Sequence, residues 1–334
     1  MRESGILMHI TSLPGPYGVG TMGKQAYAFV DFLKDAGQSC WQILPLNPTG
    51  YGDSPYQSCS TFAGNHYLID LENLINEGLL YREEVDSIQW NWNDNKTDYG
   101  LLYNNRLNVL RKAYSRFNGS EDFDRFCNEN ADWLPDFALF MALKAKTGGK
   151  PWYQWEDGLK YRNADAMNAV RAELAEEIRF YCFVQFKFFQ QWYWLRSYAN
   201  NKGIKIIGDV PIYVPYDSVE AWANPEFFQF NERLDPVSVA GCPPDAFSAD
   251  GQLWGNPLYR WDVMAQDGYR WWIRRLAAAG RLYDIVRMDH FRGFEAYWSV
   301  PFTSATAKDG QWVKGPGMDF MNTVKRDLPW LNLI

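Results

Sequence analysis

The chain is poor in the residues that build metal centres and disulfide frameworks: it has three histidines and five cysteines in 334 residues. The cysteines, Cys40, Cys59, Cys127, Cys182 and Cys242, are odd in number and scattered, with no CxxC pair. That spacing argues against a disulfide scaffold or a zinc site and fits reduced thiols in a cytoplasm. With so few histidines a metal constellation is not expected, and neither is a cofactor. A basic cluster is missing as well, and the net charge of −7 argues against a nucleic-acid partner. Apolar runs are too short and interrupted to span a bilayer, and no signal-peptide pattern follows Met1. The expectation is a cytoplasmic protein with no membrane partner.

What the chain has in excess is aromatic side chains, 17% of residues with 16 tryptophans, on an otherwise ordinary soluble mix of 47% hydrophobic and 22% charged residues. Core packing is the default account of any one of them. Many, however, sit among Gly, Pro, Asn and Asp, as in PWYQW (151–155), LWGNPLYRW (253–261) and PTGYGDSPYQ (48–57). Rigid rings in loops suit stacking on sugar faces, with nearby amides and carboxylates bonding hydroxyls. This composition favours a carbohydrate ligand.

One phrase repeats along the chain: a helix, a glycine, a few polar residues, a hydrophobic strand. Ala26–Ala36, with Phe29, Leu33 and Ala36 as its apolar face, stops at Gly37 and leads into Cys40–Leu46. Ala172–Ala199 stops before Gly203 and leads into Ile204–Val214. Tyr269–Ala279, with Trp272, Ile273 and Leu276 on one face, stops at Gly280 and leads into Tyr283–Met288. Gly5–Ser12 is the first strand of the series. Glycine just past a helix is common punctuation, and alternating helix and buried strand implies parallel βα units. Each strand runs into polar loop material, as an active-site rim requires. Residues 1–70 read as the first two βα units, 71–170 as an inserted, mostly helical subdomain, and 171–334 as the third strand to the start of the fifth.

The most informative stretch is YDIVRMDHFRGF, Tyr283–Phe294. A buried strand there ends in charge, and Arg287 shares a strand face with Asp289 two residues on. A cation beside a carboxylate keeps it ionised, and an ionised, oriented carboxylate is what a retaining glycosidase-type enzyme uses as nucleophile. A plain salt bridge closing the strand end is the alternative, and these residues alone leave both open.

The motifs GILMHITSLPGPYGVG, WQILPLNPTGYGDSPYQ, GDVPIYV, CPPDAFSADGQLWGNPLY and VRMDHFRGF, in this order, resemble those of the 4-α-glucanotransferases (amylomaltases, disproportionating enzymes) of the α-amylase superfamily. The resemblance covers essentially the whole chain. It implies an α/β fold, a TIM (β/α)8-type barrel with inserted helical subdomains. It also implies transfer of an α-1,4-glucan segment to the 4-hydroxyl of glucose or a maltooligosaccharide. Asp289 matches the nucleophile and Arg287 the arginine that orients it. Asp209 matches a substrate-site aspartate and Tyr56 an aromatic beside the scissile bond, whereas Tyr51 matches a tyrosine of a more remote glucan site. Residues 241–257 match a loop over the cleft, in which Asp245 would bond sugar hydroxyls and Trp254 would stack on a ring. His290 would bond a hydroxyl or pack behind the site. Where relatives carry an aromatic next to Asp245, this chain has Ala246, which implies weaker stacking.

The family's acid/base glutamate lies beyond a segment matching LPWLNLI (328–334), so none is expected in this chain, and Glu295 is a poor substitute. Four strands and the start of a fifth are expected, a barrel truncated part-way. Impaired activity alone, and self-association through uncovered strand edges, follow as expectations. The competing readings are an α-glucan hydrolase, a non-catalytic glucan-binding remnant, and an unrelated sugar-phosphate barrel enzyme. The last is weakened by the lack of a phosphate-cradling glycine loop.

Overall fold

The structure, a computed structural model, describes residues 3–50, 52–93 and 96–334. The chain folds as two compact units. The first comprises Met1–Pro48, Ala63–Leu143 and Arg171–Gly208, and the second Thr49–Phe62, Lys144–Val170 and Asp209–Ile334.

In the first unit three strands run parallel: β1 (Gly5–Leu7), β2 (Cys40–Gln42) and β3 (Lys205–Val210), whose last two residues belong to the second unit. Between β1 and β2 lies α1 (Lys24–Asp35), which ends at Ala36 and Gly37. Gly37 has φ 68°, the left-handed conformation that glycine adopts without steric cost. The buried face of α1 is Ala26, Val30 and Leu33. This corrects the expected face: Phe29 is only half-buried, against Trp41, and Ala36 is exposed. Of the expected face only Leu33 belongs to the buried stripe.

Helices α2 (Tyr99–Ser115) and α3 (Glu121–Glu129) pack on the long α4 (Ala175–Asn201). α4 is apolar enough to bury Phe180, Phe183 and Phe188, each contributing about 1.5–3 kcal/mol. It also buries two glutamines, and each has a backbone to satisfy. Gln185 accepts from Gly64 N–H (2.7 Å) and donates to Gly64 C=O (3.0 Å). Gln191 treats Asp70 the same way, at 2.7 and 3.1 Å. Two loop residues are thereby paired as a strand would pair them. The close approach requires glycine at 64, because an added Cβ would lie 2.0 Å from the Phe188 ring. Gly64→Ala is therefore expected to cost about 1–3 kcal/mol by overpacking, and an unchanged urea midpoint would contradict this packing.

Two histidines in this unit, His9 buried and His66 partly buried, make its stability depend on pH. Burial pushes His9 down to about 4 from an ordinary 6.5. Burial, then the nearby Arg106, pushes His66 down to about 3. Both folded-state values lie below the unfolded one, so the stability is present above pH 6.5 and is lost as pH falls towards 4 and 3. A drop in urea midpoint is expected to start just below pH 6.5, above the carboxylate range. A flat profile from pH 7 to 5 would contradict it.

The second unit contains an antiparallel sheet that the sequence reading did not anticipate. It is formed by β4 (Ser238–Cys242), β5 (Gln252–Pro257), β7 (Ala296–Pro301) and β8 (Gln311–Lys314), in the order β5-β4-β7-β8. Val239, Val300 and Ala307 form its core, with Trp298 packed against them. The expected loop 241–257 is thus largely a hairpin, with only residues 243–251 as its tip.

Ahead of β7 runs β6 (Ile285–Met288), which lies beside the end of β3: the Asp289 N–H donates to Val210 C=O at 3.0 Å. On the other side of β6 the segment 332–334 adds in parallel. Val286 N–H donates to Asn332 C=O (2.8 Å), and Ile334 N–H to Val286 C=O (3.0 Å). Among the described residues the parallel strands do not close into a barrel.

α5 (Arg270–Leu282) precedes β6. It runs through Gly280 rather than stopping there, which corrects a second expectation. A Cβ at 280 would meet Trp330 and Leu331 at 2.6 Å, so this glycine serves a close approach rather than a helix end. Ile273 is half-buried, and Arg275 takes a core position between Trp271, Trp272 and Leu276.

Candidate active site

The site is built where β3 and β6 end, within the second unit. Alternation along β6 and the residue after it puts Arg287 and Asp289 on one face. The guanidinium forks between two carboxylates, Nη1 to Asp209 Oδ1 at 2.8 Å and Nη2 to Asp289 Oδ1 at 2.9 Å. The other oxygen of Asp209 accepts from the Tyr56 hydroxyl at 2.7 Å. One planar cation and one phenol thus tie four side chains together, from two strand ends and a loop.

The two carboxylates differ in surroundings. Asp209 is 2% exposed and Asp289 31% by side chain, so only the second is open to a ligand. Burial pushes the Asp209 carboxyl above its usual range, with Asp289 adding to the rise. Tyr56 and Arg287 pull it back down. Burial acts to lower the Arg287 guanidinium, but Asp209 and Asp289 outweigh it and the net shift is upward. Tyr56 is pushed up by burial and then by Asp209, so its hydroxyl stays a donor. Asp209 is held in place, and Asp289 is oriented yet reachable.

His290 follows in the left-handed region (φ 47°, ψ 45°), a conformation costing a side-chain-bearing residue about 1–3 kcal/mol. It starts the turn Phe291–Phe294 and sets its ring edge-to-face on Trp254, with centroids 4.9 Å apart at 85°. Burial lowers the imidazole pKa, with Asp289 pulling it up and Arg292 down, so the ring is neutral at pH 7. Trp254, on β5, donates from Nε1 to Gln252 Oε1 at 3.0 Å, and Tyr213 lies 6.2 Å from it.

Of the residues singled out from sequence, the structure therefore brings Asp209, Arg287, Asp289 and Tyr56 into one bonded cluster, with His290 and Trp254 as an adjoining pair. Asp245 is not joined to them. It is exposed at the hairpin tip, where its Oδ1 accepts from the Phe247 and Ser248 N–H groups, both at 2.8 Å, closing a turn. Tyr51 lies outside the described residues. Two aromatic side chains were not singled out from the sequence. Tyr213 packs against both Trp254 and His290. Phe247, one place beyond Ala246, is 98% exposed. An isolated phenylalanine in the polar run CPPDAFSADG was the available signal for the second.

Among the described residues no group of three or more His, Cys, Asp or Glu side chains is arranged to hold a metal ion. No helix among them is long and apolar enough to cross a membrane.

The chain has an α/β fold with an oriented, accessible carboxylate at the carboxyl edge of parallel strands, the edge at which α/β-barrel enzymes carry their chemistry. A profile of the 4-alpha-glucanotransferase family matches residues 8–333. The 4-alpha-glucanotransferase of Clostridium butyricum is 48% identical over 330 residues, covering 98% of this chain and 68% of the relative. That of Thermus thermophilus is 51% identical over 322 residues, covering 95% and 63%. Among solved structures, an amylomaltase from Streptococcus agalactiae in complex with acarbose superposes with TM-score 0.97 at 44% identity, covering 100% of this chain and 68% of that one. The chain belongs to the 4-alpha-glucanotransferase family of enzymes. It spans about two thirds of the length of these relatives.

Proposed function

We propose that this chain carries the nucleophile half of a 4-α-glucanotransferase site. The observation behind this is the Arg287 fork, which orients Asp289 while Asp209 and Tyr56 hold the fork itself. In this reading a carboxylate oxygen of Asp289 attacks the anomeric carbon of an α-1,4-glucan and the bond to the leaving 4-oxygen breaks. A glycosyl ester of Asp289 results, and the 4-hydroxyl of glucose or a maltooligosaccharide then displaces the carboxylate. Trp254 offers a stacking face, and His290 and Asp245 offer groups for sugar hydroxyls, while buried Asp209 supports the site through its bonds to Arg287 and Tyr56; Tyr51 belongs to a more remote glucan contact. The acarbose complex of the Streptococcus agalactiae amylomaltase supports an oligosaccharide ligand. The parallel strands are read as part of a (β/α)8 barrel.

A retaining site needs a second carboxyl group about 5–5.5 Å from the nucleophile, to protonate the leaving oxygen. We assign that group to none of residues 1–334. Two assays on one purified sample of this polypeptide test the assignment. With α-maltosyl fluoride the leaving group needs no proton, so about one equivalent of fluoride per chain is expected as Asp289 becomes glycosylated. With maltotriose, disproportionation is expected to be absent or severely impaired. Full disproportionation would contradict the missing acid/base group, and no fluoride release would contradict the nucleophile.

Exposed apolar side chains carry a further expectation. Leu7 on β1 is 55% exposed, and Trp330 and Ile334 are 55% and 62% exposed. Self-association of the 334-residue polypeptide is expected to rise with concentration in light scattering. A monomer at all concentrations would contradict it.

A further inference from the structure

Beyond the site lies a buried cation that the chemistry above does not use. Arg275, on α5, is 4% exposed and lies over the rings of Trp271 and Trp272, 5.6 and 4.7 Å from their centroids. Its Nη2 donates to Pro211 C=O at 2.5 Å and its Nη1 to Ile212 C=O at 3.2 Å. Tyr259 adds a hydroxyl donor to Ile212 C=O at 2.8 Å. β3 ends at Val210, so these two carbonyls follow its last residue and need donors from elsewhere.

The segment thus held is the floor of the candidate site. Asp209 receives Arg287 and Tyr56, and Val210 C=O receives the Asp289 N–H. Ile212 packs so closely under the following turn that a Cβ on Gly293 would lie 2.7 Å from its Cδ1. Tyr213 backs both Trp254 and His290. A shift of residues 211–212 would therefore move the nucleophile, its orienting partner and the stacking wall together.

We infer that Arg275 is a positioning residue for Asp289, acting through the carbonyls of Pro211 and Ile212. It touches no reacting atom. An arginine suits the task because its fork reaches two adjacent carbonyls at once, whereas an ammonium holds them as a single point. Misplacing a reacting group by about 1 Å costs on the order of a hundredfold in rate.

The inference rests on the nucleophile reading and is tested on the same polypeptide with α-maltosyl fluoride. The readouts are the saturated first-order rate of glycosylation and the donor concentration giving half that rate. Arg275→Met is expected to slow the saturated rate about 10–100-fold with the half-rate concentration little changed. Arg275→Lys should recover part of the loss, and Tyr259→Phe should show a smaller loss of the same kind. A purely structural role would lower the fraction of chain that can be labelled and leave the rate constant of the remainder at the wild-type value, and that result would overturn the inference. If Arg275→Met does not fold, the Lys and Phe variants decide by the same criterion. Wild-type chain that labels, with variants that label equally fast, removes this inference alone. Wild-type chain that does not label removes the nucleophile reading and this role with it.

Discussion

Asp289→Asn is expected to lower covalent labelling by α-maltosyl fluoride roughly ten-thousand-fold or more, while the fold survives. An amide oxygen is a far weaker nucleophile than a carboxylate, and loss of a nucleophile in enzymes of covalent mechanism has effects of this order. Little stability should be lost, because Asp289 is 31% exposed and an ion pair so open to water contributes about 0–1 kcal/mol. Binding of maltooligosaccharide should persist in the variant. Labelling of the asparagine chain at the wild-type rate would mean that another group is being glycosylated.

Arg287→Met is expected to damage both rate and stability, for separable reasons. Asp209 is 2% exposed and would lose the cation on its Oδ1, and breaking a buried pair from one side costs about 3–5 kcal/mol. The lower end applies here, since Arg287 itself is 36% exposed. Adding Asp209→Asn should restore much of that stability, because the orphaned charge is removed. It should not restore labelling, because Asp289 would still lack the Nη2 contact that orients it. A double variant with wild-type stability and wild-type labelling would contradict the role of the fork.

How much of this was legible in the sequence follows from which interactions are local. The pairing of Arg287 with Asp289 needs only the two-residue repeat of a strand, and it is present in the structure. That the same guanidinium reaches Asp209 depends on which strand ends lie side by side. The GDVP and RMDH motifs suggested this only through the family they resemble, and that family is the one to which the chain belongs.

The antiparallel sheet was not legible. Ser238–Cys242 is built of small residues, and Gln252–Pro257 holds a glycine at φ 76° and ends in proline, so both read as loop. Buried Arg275 escaped notice because arginine in an amphipathic helix normally marks the solvent face. Its inward turn is accounted for by the Pro211 and Ile212 carbonyls after β3, to which it donates. Gly280 misled for a related reason: a glycine selected for the approach of Trp330 looks the same in sequence as one that ends a helix.

The central claim is that one accessible carboxylate, aimed by Arg287, forms a bond to sugar carbon. Proteolysis of the 334-residue polypeptide after reaction with α-maltosyl fluoride, with mass mapping of the peptides, addresses it directly. The account predicts a single maltosyl adduct on Asp289, in the peptide that contains Arg287–Phe294. An adduct on any other residue, or none in chain shown to be folded, would contradict it.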